Sequence, residues 1–264
     1  MASRSELKSY LELCQRLGIR YVSLASSGET PRGQDAAPDL TRTPEKAEEP
    51  AVTELPVPAQ SLSQVPKWMT ASTDGIQAME LMAFDQDIHE CQNCPLGKLR
   101  KNFVFGSGSP RAEIMFVGEA PGADEDEQGL PFVGRAGQLL TKIIESTKTW
   151  KRPEVFICNV LKCRPPGNRT PQPEEVEQCR PYLEEQVRII RPKLIMALGA
   201  SAAQALLKTK DSVGKLRNKW HDYEGIPLRV TYHPAALLRF EGYKKDVWED
   251  MKELTTRYKE ISQK

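Results

Sequence analysis

Four of the six cysteines in this 264-residue chain fall into a ligand-like pattern. Cys91 and Cys94 are two residues apart, and Cys163 and Cys179 are fifteen apart. In a reducing compartment such thiols hold a metal more often than a disulfide. Four thiolates suit a tetrahedral zinc or a cubane iron-sulfur cluster, and the spacing alone does not choose between them. Cys158, in the apolar run Phe156-Ile157-Cys158, reads as a small buried hydrophobe, and Cys14 as filler on a helix face.

Three polar motifs stand directly behind strand-like runs. Gly118-Glu119-Ala120-Pro121-Gly122 follows Ile114 to Val117, Asn159 follows Val155 to Ile157, and His233-Pro234 follows Leu228 to Tyr232. Between these runs, and around a fourth at Lys193 to Leu198, lie helical patterns from about Arg135, after Pro173, near Ala202 and from about Asp246. Strands alternating with helices predict an α/β fold. Specifically, they predict a three-layer α/β/α sandwich around a central, mainly parallel four-stranded sheet. Ligands of such sheets sit beyond the carboxyl ends of the strands, so the three motifs are expected to meet in one cleft.

Ahead of this body, Leu7, Tyr10, Leu11, Cys14 and Leu17 recur at helical spacing, predicting a short amphipathic helix within residues 1–27. From Gly28 to Pro66 seven prolines and no sustained periodicity predict a disordered linker, drawn through residue 70. A helical pattern from Ile76 to Ile88 then opens the domain at 71–264. The tethered N-terminal helix is a candidate docking element for a repair or replication partner. Net charge is +1, but Gly28 to Gln60 carries seven acids against three bases. The rest is therefore mildly basic, and Lys208, Lys210, Lys215, Arg217 and Lys219 form a candidate patch for an anionic polymer. No apolar run approaches the length of a membrane span and none follows the first residues, so a cytoplasmic location is expected.

Taken together, Gly118 to Gly122, Gly129-Leu130-Pro131-Phe132-Val133-Gly134, Asn159-Val160-Leu161-Lys162-Cys163-Arg164-Pro165-Pro166-Gly167-Asn168-Arg169 and His233-Pro234-Ala235-Ala236-Leu237-Leu238-Arg239 resemble the motif set of the family 4 uracil-DNA glycosylases, in order and correctly spaced over about residues 88–260. The resemblance implies a monomeric DNA N-glycosylase that hydrolyses the bond between uracil and its sugar in single- or double-stranded DNA, starting base-excision repair. It also implies a [4Fe-4S] cluster on Cys91, Cys94, Cys163 and Cys179. A non-catalytic iron-sulfur module for DNA binding or redox is the alternative. Relatives that trap the abasic sugar carry glutamine in place of Glu119 and an inserted basic loop, and this chain has neither.

The chemistry gives each motif residue a role under that resemblance. A base must leave the stack before its sugar bond is reached. Leu237 is the first choice for a wedge filling the gap, with Arg239 on a phosphate. Phe132 would stack on uracil and Asn159 would read its edge, in a pocket walled by Gly118 and Ala120. His233 and backbone N–H groups around Glu119 would stabilise charge growing on the departing base. Within Asp124-Glu125-Asp126-Glu127, the resemblance favours Glu125 for activating water, with Asn168 positioning water or sugar. Three departures stand out. Ala120 and Gly122 replace an aspartate and a tyrosine of better-known uracil glycosylases, and Asn218 stands where many relatives carry glycine.

Overall fold

The computed structural model describes residues 65–70 and 75–263, so the expected N-terminal helix and nearly all of the expected linker lie outside the described residues. The chain divides into two units at the junction of Gln64 and Val65. The second unit begins earlier than the sequence boundary at 71. Trp68 and Met69 are buried, Trp68 Nε1 donates to Asp85 at 2.7 Å, and the Trp68 ring lies 5.0 Å from that of Phe105. A single aromatic and a methionine at the end of a proline-rich stretch show no periodicity, which is why the pattern missed them.

In chain order the second unit contains α1 (Ile76–Ile88), β1 (Ser107–Gly108), β2 (Ile114–Gly118), α2 (Ala123–Gln128), α3 (Arg135–Ser146), β3 (Phe156–Asn159), α4 (Pro173–Ile190), β4 (Leu194–Leu198), α5 (Ala200–Leu207), α6 (Val213–Leu216), β5 (Trp220–Tyr223), β6 (Ile226–Thr231), α7 (Pro234–Leu237) and α8 (Tyr243–Ser262). The sheet order is β1-β3-β2-β4-β6-β5. The four expected strands form its parallel centre, and β1 and β5 pair antiparallel at the two edges. The sheet thus has six strands where four were expected. β1 is two residues long, too short to show alternation. β5 joins β6 through Glu224 and Gly225, both at positive φ (53° and 84°), as a two-residue hairpin turn requires. Glutamate in the first of those positions gives little sequence signal.

Every residue of β2, β3 and β4 is buried. Their side chains alternate between two cores. Met115, Val117, Cys158, Ile195 and Ala197 pack with residues of α1, α4 and α5. Phe116, Ile157, Met196 and Leu198 pack with residues of α3, α7 and α8. Cover on both faces is what makes these strands continuous apolar runs in sequence. Helix α8 is also tied to the sheet through Asp250, which is fully buried and accepts from Arg217 Nε at 2.8 Å and Thr231 Oγ1 at 2.7 Å. Arg217 is therefore spent on an internal ion pair and leaves the proposed basic patch, whose four lysines are exposed. Asn218 adopts φ 62°, the left-handed conformation for which glycine was expected, and asparagine tolerates it. Among the described residues no helix is long and apolar enough to cross a membrane.

The register sets the position of the cleft. Gly118 pairs with Asn159, and Leu198 pairs with Thr231, so the carboxyl ends of the parallel strands finish side by side. From β2 the chain crosses first to β3 on one side and later to β4 on the other, the arrangement that opens a crevice at the strand ends.

Candidate active site

A cleft of about 420 Å³ occupies that crevice, and its lining joins all three motifs: Glu119, Ala120 and Gly122 after β2, Asn159 at the end of β3, and His233 after β6. Phe132, Glu125, Asn168 and Arg239 complete the wall. The convergence expected from strand order is therefore observed.

The wall is closely fitted around Gly118. A Cβ at that position would lie 2.5 Å from Asn159 Oδ1 and 2.5 Å from Phe132 Cζ, so only glycine admits both side chains. Asn159 is 1% exposed, and its Oδ1 has no hydrogen-bond partner among the described residues. A buried carbonyl left so costs on the order of 1–3 kcal/mol. The backbone behind it is pinned, since Val160 and Leu161 N–H donate to the Gly118 and Glu119 carbonyls at 2.9 and 3.0 Å.

Phe132 sits at φ 53°, unusual for a side chain of its size, and its ring centre lies 5.6 Å from that of His233 at a 34° tilt. Strain of this kind persists only where neighbours enforce it. Here Glu125 does so. Its Oε1 accepts from Val133 and Gly134 N–H at 2.9 and 3.0 Å, and its Oε2 accepts from Gly122 N–H at 3.1 Å. Arg152 adds a bond from Nη2 to the Pro131 carbonyl at 2.7 Å. Two other acids of the run are employed elsewhere: Asp126 is buried and accepts from Lys101 N–H, and Glu127 pairs with Lys101. Of the four, Glu125 lines the cleft. Its carboxylate also explains Gly122, where a Cβ would lie 2.6 Å from Oε2.

His233 Nδ1 accepts from Ala235 N–H at 3.2 Å, which leaves Nε2 as the protonated nitrogen of a neutral ring. Burial, with a smaller contribution from the Arg239 guanidinium, pushes the imidazole down to about 4. Asn168 stands at φ 55° in a turn with Gly167, and its Oδ1 accepts from Arg164 Nε at 2.8 Å. Leu237 is 2% exposed and packs in the core beneath α3 and α8, which corrects its choice as the wedge. Leu238, one residue further around the helical turn, is 44% exposed instead. Two adjacent leucines look alike in sequence, and only packing decides which one faces solvent.

The four patterned cysteines line one small cavity at the junction of the Cys91–Cys94 loop, the segment after β3 and helix α4. Among the described residues no group of three or more His, Cys, Asp or Glu forms a metal-ion site as it stands. Donors nevertheless converge on the sulfurs. Tyr182 Oη donates to Cys91 Sγ at 3.0 Å, Lys162 N–H to Cys179 Sγ at 3.3 Å and Arg100 Nη1 to Cys163 Sγ at 3.5 Å. Burial pushes the Cys163 thiol up to about 11 and that of Cys179 up to about 12. Cys158 lies in the core, as its sequence context predicts.

Sequence reasoning gave no role to Arg100, Tyr182 or Lys162. Lys162 is fully buried, with Nζ donating to the Asn159 backbone carbonyl at 2.9 Å and to Gln186 Oε1 at 2.6 Å. Its backbone thus serves the cysteine cavity and its side chain supports the cleft. Its place inside the long motif was the available signal, whereas Arg100 and Tyr182 meet the cysteines only through the fold.

The Uracil DNA glycosylase superfamily matches residues 105–252. A type-4 uracil-DNA glycosylase of Pyrobaculum aerophilum is 45% identical over 183 residues, covering 66% of this chain and 92% of the relative. One of Archaeoglobus fulgidus is 44% identical over 177 residues, covering 64% and 88%. A type-5 uracil-DNA glycosylase of Thermus thermophilus is 29% identical over 160 residues, covering 49% and 73%.

The depressed imidazole has a sign that solution measurements can check. A histidine held neutral in the fold binds its proton more readily when unfolded, so its stabilising contribution is complete above about 6.5 and is lost as pH falls toward about 4. In a nitrogen-resolved NMR titration, His233 should stay neutral with Nε2 protonated from pH 8 down to about 5. A midpoint at or above the ordinary histidine value would contradict the burial argument.

Proposed function

Because this chain belongs to the uracil DNA glycosylase superfamily, we propose that it flips uracil out of DNA and hydrolyses its N-glycosidic bond, as an iron-sulfur member of that family. The observation that carries the reading is the buried Asn159 side-chain Oδ1, without a partner among the described residues, in a cleft that also presents Phe132 and His233.

Uracil stacked on Phe132 brings its N3–H to Asn159 Oδ1, while the Asn159 amide donates to O4. Cytosine offers an acceptor at N3 and a donor at position 4, so it mispairs at both atoms. Mispaired buried groups of this type give discrimination of several orders of magnitude. Thymine must be refused by shape. No side chain projects at Gly122, so the Glu119 side chain and the Glu125 carboxylate at that position are the obstruction.

As the bond breaks, electrons pass to the uracil ring and the sugar gains cationic character. The neutral His233 donates Nε2–H to uracil O2 as its charge grows, assisted by backbone N–H groups of the turn at Glu119 and Ala120. A neutral donor suits this step, because the proton remains on His233 while the base departs as an anion. Glu125 fixes the Phe132 loop and directs the remaining acceptor capacity of its carboxylate at the water that attacks the sugar. Asn168, with Oδ1 held by Arg164, offers its NH2 to the sugar or the water. Leu238 takes the place of Leu237 as the side chain that enters the vacated stack, and Arg239 meets a phosphate.

Cys91, Cys94, Cys163 and Cys179 would hold the [4Fe-4S] cluster. The donor set fits: four thiols from three chain segments share one cavity, with N–H and O–H groups aimed at three of the sulfurs. When bound, the cluster supplies a covalent tie between the entry loop, the segment carrying Asn159 and helix α4. Ligation displaces the thiol protons that burial holds in place.

Two measurements test this reading. Oligonucleotides carrying uracil, thymine or cytosine at one position, followed by alkaline cleavage, should show scission at uracil, and Glu125→Gln should lower its rate by about 10²–10⁴-fold. No scission at uracil would refute the activity, and an undiminished Glu125→Gln variant would refute the assignment of that residue. Protein purified without oxygen should be brown, absorbing near ~400 nm. A colourless protein with one zinc per chain would refute the cluster.

A further inference from the structure

Phe240 is 61% exposed, an unusual setting for a phenylalanine. It stands two residues beyond Leu238 and next to Arg239, which lines the cleft. It is not on a loose loop: the Arg239 and Phe240 N–H groups both donate to the Ala236 carbonyl, at 3.1 and 2.8 Å. Behind it runs a ladder of rings. Phe240 lies 5.8 Å from Tyr243, Tyr243 stacks on Tyr232 at 4.0 Å and 13°, and the Arg217 guanidinium covers Tyr232 at 4.8 Å. Arg217 is itself fixed by buried Asp250. The ladder is anchored at one end in the core and finishes at the other in an open aromatic surface.

We propose that Phe240 is a second stacking surface, outside the uracil pocket, that takes a nucleobase flanking the extruded nucleotide on the same DNA. The inference rests on the glycosylase reading. Extrusion leaves neighbouring bases with an uncovered face, and a fixed aromatic ring accepts any base because every base has a π-face. Leu238 fills the gap itself, whereas Phe240, two residues further out, meets a neighbour. Arg239 between them reaches the intervening phosphate. The site therefore contributes grip without sequence preference.

The test is a double-mutant cycle on binding, with the full-length chain and DNA carrying a tetrahydrofuran abasic site, so that no catalysis is needed. Phe240→Ala should weaken binding by about fivefold or more, the lower end expected for a lost base–ring stack. Phe240→Tyr should restore affinity, and Phe240→Leu should not. Deleting the nucleobase at one flanking position should cost the wild-type protein a similar factor and cost Phe240→Ala nothing further. Wild-type affinity in Phe240→Ala or Phe240→Leu, or losses that multiply at every flanking position, would overturn the inference. Excision of uracil by the wild-type protein is scored in parallel. Its absence would sink the glycosylase reading, whereas normal excision with unchanged Phe240→Ala binding sinks this inference alone.

Discussion

A buried amide oxygen without a partner is the constraint around which this site is organised. Asn159 closes the end of a strand buried along its whole length, and among the described residues its Oδ1 meets no donor. Removing the neighbouring side chain at position 118 makes room for it, and the Phe132 ring presses against the same space. A group left in this state destabilises the fold by itself. Under the proposed reading it serves a ligand that brings a planar donor edge into the cleft. The parallel register of β2 and β3 sets where that edge must lie, since it places Gly118 beside Asn159.

Two supports keep the arrangement from relaxing. On one side Glu125 gathers three backbone N–H groups and so holds Phe132 in a conformation the residue would not choose. On the other, the buried Nζ of Lys162 ties the Asn159 backbone carbonyl to Gln186, and Gln186 Nε2 in turn donates to the Phe105 carbonyl at 2.8 Å. Because the next residue, Cys163, lines the thiol cavity, the segment proposed to read the base also carries one of the four patterned cysteines. A cluster held there would act on the chemistry through position alone. The strained Phe132 and the unsatisfied Asn159 Oδ1 thus meet at the cleft, and stabilising contacts stand immediately behind them.

The sequence made the parallel centre of the sheet legible because strands buried on both faces are uninterrupted apolar runs, and the motifs that end them were visible as polar breaks. Placing Asn159 and His233 in one cleft followed from strand order alone. Other features depend on which way a side chain turns. Leu237 and Leu238 could not be told apart before their packing was known. Arg217 read as a surface base until its partner Asp250, 33 residues away, appeared beside it. The edge strands escaped notice, one for its brevity and one because its turn uses glutamate at positive φ. Trp68 lies in a proline-rich tract whose composition hides its burial.

If Asn159 is held for its ligand rather than for the fold, removing its polarity at constant volume should separate stability from activity. The direct measurement is Asn159→Leu, with melting temperature and uracil excision rate determined on the same preparation. The account predicts a melting temperature equal to or above that of the wild type, since an unpaired buried amide is exchanged for an apolar group of similar size. It also predicts an excision rate at least about a hundredfold lower, because the edge contacts are lost. Near-normal excision, or a fall in melting temperature that shows the amide to be structural, would contradict it.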